Sequence, residues 1–186
     1  MIINSEDDIA KLIYTDQWMM DVLHAAETLS LPDWWIGAGF LRNKVWDAIA
    51  GKQSRQSRDI DLVYFNAADT LRESDHAYDI KMKQDFPFAE WEIRNQARMH
   101  YVEDFQPFTS TADGIAHWVE TATCVAVKSA GGKLQFLFCY GTDDLLGLIA
   151  RPTSFFATGE LLNRFYMRVA EKHWQERWPE LRIVPA

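Results

Sequence analysis

The sequence of 186 residues has few of the features that mark secreted and membrane proteins. Its only cysteines, Cys124 and Cys139, lie in separate apolar segments without metal-ligating neighbours, so we expect buried thiols rather than a disulfide. No apolar run approaches the roughly 20 residues that a membrane-spanning helix needs. The acidic start of the chain also lacks the basic and apolar parts of a signal peptide. We therefore expect a cytoplasmic protein without membrane contacts.

Positive charge is also scarce, because 19 Lys and Arg residues face 27 Asp and Glu residues and the net charge is −8. This balance argues against tight, non-specific binding to nucleic acid, which depends on cations that neutralise phosphates. The cations are nevertheless concentrated in one segment, which contains Arg42, Lys44, Lys52, Arg55 and Arg58. A local basic patch on an acidic protein suits a phosphate-bearing small molecule.

A composition of 48% hydrophobic and 25% charged residues is typical of a globular chain, and we expect residues 1–186 to form one domain. Hydrophobic periodicity predicts helices at residues 6–14, 17–29, 40–50, 67–84, 111–119 and 158–178. It predicts strands at 34–36, 59–65, 90–94, 121–128 and 134–140, the last two joined in a hairpin by a turn at 130–132. Ser5 and Asp16 are suitable caps for the first two helices. The mixture predicts an α+β or mixed α/β fold with one central sheet.

The predicted strand at 59–65 begins with Asp59, Ile60 and Asp61. Alternate residues of a strand face the same way, so the two carboxylates should project together while Ile60 and Leu62 pack on the other face. Carboxylates this close repel each other unless a cation lies between them, and Mg²⁺ is a hard ion that binds such oxygens. The alternative is an ordinary solvated Asp-x-Asp sequence.

Two further features bear on this choice. Glu92 lies on another predicted strand, where it either supplies a third carboxylate to the same face or forms a surface ion pair with Arg94 or Lys81. Upstream, Gly37 and Gly39 form a turn that leads into a helix. Backbone N–H groups at a helix start can hold phosphate together with Arg42 and Lys44, although a tight turn alone also explains the glycines. Phosphoryl and nucleotidyl transfer need this combination of carboxylates, metal and cations.

The chain resembles a bacterial nucleotidyltransferase-like family of the polymerase-beta-like superfamily. The resemblance lies in WIGAGFLRNKVWD at 35–47, DIDLVYF at 59–65 and WEIRNQARMH at 91–100, with shorter matches at 118–123, 140–145 and 151–153. It implies the minimal polymerase-beta-like fold, an α+β arrangement in which a mixed sheet carries helices packed on one face. It also implies a metal site on the strand that follows the glycine turn.

From the motifs and the resemblance together we expect Asp59, Asp61 and Glu92 to bind Mg²⁺ or Mn²⁺ and to serve as catalytic residues. The residues expected to contact the nucleotide are Gly37, Gly39, Arg42, Asn43 and Arg58. A polar group after Glu92 either shapes the substrate site or supports the carboxylates through buried hydrogen bonds; its members are Arg94, Asn95, Gln96, Arg98 and His100. We assign no role to His117 and His173, which lack partners at ligand spacing.

The leading hypothesis is an enzyme that moves a nucleotidyl group from an NTP, with ATP the expected donor, to an acceptor that is a small molecule or a protein. A nucleotide-binding or regulatory module without turnover is the first alternative, since Phe40 follows Gly39 where the superfamily usually has serine or glycine. A metal-dependent phosphohydrolase, with water as the acceptor, is the second.

Overall fold

Helices and short strands alternate along the part of the chain described by the structure, a computed structural model that covers residues 3–57 and 59–185. The helices are α1 (Glu6–Tyr14), α2 (Gln17–Thr28), α3 (Gly39–Ile49), α4 (Arg72–Asp85), α5 (Thr111–Ala116), α6 (Asp143–Leu146), α7 (Gly159–Lys172) and α8 (Trp174–Arg177). The strands are β1 (Trp35–Gly37), β2 (Asp59–Tyr64), β3 (Glu90–Asn95), β4 (Val125–Ala130), β5 (Lys133–Phe138), β6 (Ile149–Ala150) and β7 (Arg182–Ile183). Short 3₁₀ helices occupy Gln96–Val102, Thr121–Thr123 and Ser154–Phe156.

Five strands form one mixed sheet in the order β3-β2-β1-β4-β5. The pair β2 and β3 is parallel and is connected by α4, whereas the other neighbouring strands are antiparallel. A parallel pair requires a crossover of this kind, because the chain must return to the same end of the sheet. Strands β6 and β7 form a separate parallel pair. This arrangement confirms the predicted α+β fold with a mixed sheet.

The main hydrophobic core covers one face of the sheet. Ile36, Ile60, Leu62, Ile93 and Val127 point into it and are fully buried. They pack with buried side chains of α1 to α4 and of α7. A much smaller cluster covers part of the other face, where α5 packs on β2 and β4. The prediction that helices pack on one face of the sheet therefore holds for the main core, whereas α5 packs on the other face.

The first two helices begin where their caps predict. The hydroxyl of Ser5 accepts a hydrogen bond of 3.2 Å from the backbone N–H of Asp8, and the carboxylate of Asp16 accepts one of 3.2 Å from Met19. These bonds satisfy N–H groups that have no partner within the helix. Asp16 also binds the ammonium group of Lys44 at 2.5 Å. Lys44 is therefore engaged with α2 rather than with the turn before α3, where the sequence suggested a phosphate ligand.

The single helix predicted for residues 158–178 is wrong, because α7 ends at Lys172 and α8 follows after a break. His173 at the break has a left-handed backbone with φ of 48°. Beyond it, the rings of Trp174 and Trp178 lie edge-on to Trp46, with centroid distances of 5.6 and 5.0 Å. The break changes the direction of the chain just before these two residues, and both rings then pack on Trp46.

Two other segments also differ from the prediction. The helix expected from residue 67 begins at Arg72, because the side chains of Asn66 and Asp69 bind nearby backbone N–H groups and hold the preceding segment in turns. Residues 121–123, predicted as strand, form a 3₁₀ helix.

The hairpin turn is as expected, since Gly131 and Gly132 have φ values of 58° and 76°. Cys124 and Cys139 are free thiols; Cys124 is buried as predicted, whereas Cys139 is only partly buried. No helix in the described ranges is long and apolar enough to cross a membrane.

Candidate active site

Three carboxylates lie together on the sheet face opposite the main core. In β2, Ile60 and Leu62 enter the core, so Asp59 and Asp61 point to the other face. In the parallel pairing of β2 with β3, Asp61 is the register partner of Glu92. Neighbouring strands are only about 4.8 Å apart, which places Glu92 beside Asp61 on the same face.

Asp61 is the electrostatic centre of this group. Burial, together with the charges of Asp59 and Glu92, raises its pKa to about 6. Arg168 and Arg42 have the opposite effect but do not cancel the rise. The ionised form of Asp61 is therefore destabilised where it stands, and a cation placed between the carboxylates would relieve that repulsion.

The donor set fits a hard divalent cation, since Mg²⁺ and Mn²⁺ prefer carboxylate oxygens. In the described ranges, however, no group of three or more His, Cys, Asp or Glu side chains is close enough to hold an ion as placed. The side chain of Glu92 is half exposed and leans toward Arg94, whose Nη2 lies 4.0 Å from Oε2. Lys81 pairs instead with Asp85. The residue types and the strand register fit the metal, and the side chain of Glu92 would have to turn toward Asp61.

The turn between β1 and α3 lies beside these carboxylates. A Cβ atom at Gly37 would lie 2.5 Å from a ring carbon of Trp118, so only glycine fits there. Ala38 adopts φ of 53° and ψ of −125°, a conformation that residues other than glycine rarely adopt. Gly39 begins α3, whose first turn has no side-chain cap. Uncapped N–H groups at the start of a helix can bind a phosphate.

Arg42 is a buried cation on α3 beside this turn. Its side chain is 4% exposed and donates hydrogen bonds to Thr123 at 2.6 Å and to Asn43 at 2.9 and 3.2 Å. Its guanidinium also lies 4.5 Å from the ring centroid of Trp174. Burial lowers the pKa of Arg42 to about 10, so the group stays protonated at neutral pH. Within the described ranges it forms no ion pair, which leaves its charge open to an anionic ligand.

Two cavities meet at Asp61. The first, which we call the cationic cavity, has a volume of about 230 Å³ and contains Asp59 together with a set of cations: Arg42, Arg55, Arg168, Lys172 and Arg177. The second, the aromatic cavity, has a volume of about 360 Å³ and contains Glu92 together with the rings of Phe105, Phe108, His117, Trp118 and Phe156. Ala38, Asp61 and Arg168 line both cavities. The carboxylates therefore stand at the junction of a cationic and an apolar space.

Comparison with protein families places this site in a known context. The model of a family described as nucleotidyltransferase matches residues 24–183, which include all three carboxylates and the glycine turn. The chain belongs to this nucleotidyltransferase family. No curated protein sequence matches the chain.

Solved structures agree with the assignment of this chain to the nucleotidyltransferase family. One is an NMR structure described as revealing a CCA-adding enzyme head domain; it is 27% identical, has a TM-score of 0.87, and the match covers 99% of this chain and 98% of that one. A tRNA-processing enzyme in an apo form is 16% identical with a TM-score of 0.51, and a CCA-adding enzyme in complex with CTP is 14% identical with a TM-score of 0.50. These matches cover 88% and 91% of this chain but only 44% and 47% of the two enzymes. At such identities they show a shared fold alone.

The polar residues that follow Glu92 in the nucleotidyltransferase do not all lie in one place. Arg94 and Gln96 line the aromatic cavity. Asn95 faces the other way, where its side chain binds the backbone of Asn66 and Asp69. Arg98 forms an ion pair with the buried Asp75, and His100 lies buried against Phe108. Among the described residues, Asn95, Arg98 and His100 line neither cavity, which favours the supporting role for them. Arg58 lies outside the described residues.

Sequence reasoning missed two groups that line these cavities. Arg168 and Lys172 come from α7, where Arg164, Arg168 and Lys172 recur at intervals of four residues and so form one helix face. That spacing was a usable signal. The aromatic group, which includes His117, comes from three separate segments. Its convergence has no signature in the sequence.

Proposed function

We propose that this nucleotidyltransferase transfers a nucleotidyl group from an NTP, with ATP the expected donor, to the hydroxyl group of an acceptor. Asp59, Asp61 and Glu92 would hold Mg²⁺, or Mn²⁺ in its place. The observation that carries the proposal is the position of Asp61, in register with Glu92 and shared by both cavities. Membership of the nucleotidyltransferase family supports the type of reaction.

The cationic cavity suits the triphosphate. Arg42 and Lys172 supply positive charge, and the first turn of α3 at Gly39 supplies N–H groups. Arg168 also lines this cavity, but its charge is balanced by the fully buried Glu120, which accepts a hydrogen bond of 2.9 Å from the Nε atom of Arg168. The charge available to an anion is therefore that of Arg42 and Lys172. An anion of high charge is thereby favoured on this side of Asp61.

In the proposed reaction, the acceptor oxygen attacks the α-phosphorus and forms a new P–O bond. The bond between the α-phosphorus and the oxygen bridging to the β-phosphate breaks, and pyrophosphate leaves with the electron pair. The carboxylate of Glu92 takes the proton from the acceptor hydroxyl and passes it to water. A divalent cation at the carboxylates would neutralise the charge that develops on the phosphate oxygens.

The experiment is to incubate the protein with radiolabelled NTPs, Mg²⁺ and cell extract, and to compare wild type with Asp61→Asn. We expect labelled products from wild type and at least a hundredfold less from the variant, about the loss seen when one transition-state donor is removed. Glu90→Gln is the matched control, since Glu90 lies on the same sheet face opposite Asp59. The proposal fails if Asp61→Asn labels the same products as wild type, or if wild type labels nothing.

A nucleotide-binding module without turnover is the second candidate. It is favoured by Phe40 after Gly39 in the turn and by the orientation of Glu92 toward Arg94. Calorimetry with Mg·ATP distinguishes the two: binding without labelled product in any extract would support the module.

A further inference from the structure

A cluster of aromatic rings around His117 forms part of the lining of the aromatic cavity. The ring of His117 stacks on Phe155 with a centroid distance of 3.7 Å and an interplanar angle of 29°. Phe108 and Phe105 approach the same imidazole at 4.7 and 5.0 Å. The Nδ1 atom of His117 lies 2.8 Å from the backbone carbonyl of Asp113, which fixes the orientation of the ring.

The two cavities differ in which catalytic carboxylate they contain. The cationic cavity contains Asp59 and the aromatic cavity contains Glu92, and Asp61 borders both. In an in-line displacement at phosphorus, the attacking and leaving oxygens are on opposite sides. If pyrophosphate leaves into the cationic cavity, the attacking hydroxyl must arrive from the aromatic cavity.

The lining of the aromatic cavity restricts what can arrive there. Its apolar members include Met99, Val102 and Phe156, whereas its cations, Arg94 and Arg168, are each bound to a carboxylate. The acid Glu103 is likewise paired, with Arg164. Within the described ranges the cavity thus lacks a free cation of the kind that the phosphates of an RNA or of a second nucleotide would need. Aromatic rings, by contrast, stack favourably on other rings.

We infer that the acceptor is a small hydroxyl compound with an aromatic ring, and that this ring lies against His117 and Phe105 while the hydroxyl reaches Glu92. The inference rests on the proposed function, since it assigns the triphosphate to the cationic cavity. A volume of about 360 Å³ is enough for a compound of this size.

The test uses 4-fluorobenzyl alcohol as the probe and fluorine NMR as the readout, with cyclohexylmethanol as a competitor that has the hydroxyl but no aromatic ring. Val102 is 61% exposed and lines the cavity, so Val102→Trp fills the space without disturbing the core. Leu71→Trp is the matched control, because Leu71 is 64% exposed and lines neither cavity. Phe155→Ala, which removes the ring stacked on His117, is a second variant.

We expect the probe to bind wild type and Leu71→Trp equally, and to bind Val102→Trp and Phe155→Ala at least about fivefold more weakly. Cyclohexylmethanol should displace it poorly. The affinity for Mg·ATP of the three variants should differ from that of wild type by less than about twofold, a difference well under 1 kcal/mol. Equal binding of the probe by Val102→Trp and wild type, or no binding at all, would overturn the inference.

The affinity for Mg·ATP separates the remaining outcomes. A loss of more than about fivefold in Val102→Trp and Phe155→Ala would assign the cavity to the nucleobase and overturn the inference, while leaving the proposed function intact. Failure of wild type to bind Mg·ATP would overturn both. Normal binding of Mg·ATP without binding of the probe would overturn the inference alone.

Discussion

In buffer without divalent cations, replacement of Asp61 by asparagine should stabilise the protein at neutral pH. Ionised Asp61 is half-buried and is repelled by Asp59 and Glu92. Asparagine keeps the shape of the side chain but carries no charge, so it removes this repulsion. Such a stabilising substitution is expected where a proposed active site holds like charges together.

The size of the effect follows from the pKa. Burial and the neighbouring carboxylates raise the pKa of Asp61 from 3.8 to about 6, a shift of roughly two units. Each unit corresponds to about 1.4 kcal/mol, so the full effect is on the order of 3 kcal/mol at most. Because the folded state binds the proton more tightly than the unfolded state, the destabilisation is absent below about pH 4. It grows between about pH 4 and 6 and is constant above that range.

Urea unfolding of wild type and Asp61→Asn in EDTA, from about pH 4 to about pH 8, measures this difference. Glu90→Gln should change the free energy of unfolding by no more than about 0.5 kcal/mol at any pH, since Glu90 is exposed and is not among the charges that shift Asp61. Added Mg²⁺ at about a hundredfold excess over its Kd should stabilise wild type by about 2.7 kcal/mol and Asp61→Asn far less. A difference between the two proteins that does not vary with pH, or a less stable variant, would refute the reasoning.

The remaining predictions concern the turn, the cationic cavity and the C-terminal helices. Ala38→Gly should raise the free energy of unfolding by about 1 kcal/mol in urea, because φ of 53° is strained for alanine; a decrease would contradict that reading. Lys172→Ala should weaken the binding of Mg·ATP about fivefold by calorimetry, and Lys133→Ala on the β4–β5 hairpin should leave it unchanged. Equal affinities would remove Lys172 from the site. Trp178→Ala should lower the free energy of unfolding by about 3–5 kcal/mol through loss of its packing on Trp46; a loss below about 1 kcal/mol would show that the ring is dispensable.

Some features follow from local sequence because their causes are local. The caps at Ser5 and Asp16 act on N–H groups three residues away, and the glycine pair at 131 and 132 sets its own turn. The alternation in β2 places Asp59 and Asp61 on one face whatever the rest of the chain does. The motifs that contain these residues were also sufficient to predict the nucleotidyltransferase family, which is confirmed.

Other features were decided by tertiary structure, because they depend on contacts between distant segments. Asp61 pairs with Glu92 through the parallel register of β2 and β3, two strands that are separated in sequence by α4, and no local pattern specifies that register. The break at His173 redirects the chain so that Trp174 and Trp178 pack on Trp46, a contact with a distant helix that the local pattern does not reveal.

The same distinction applies to the site. The sequence alone indicated the acidic side of it, since the carboxylates lie in two short strands with clear alternation. The cations of α7 and the rings of the aromatic cavity come from segments far apart in the chain, and only the folded structure brings them to Asp61. Local patterns determine which way a side chain points from its own strand or helix. The position of that strand or helix relative to the others depends on burying side chains from the whole chain in one core.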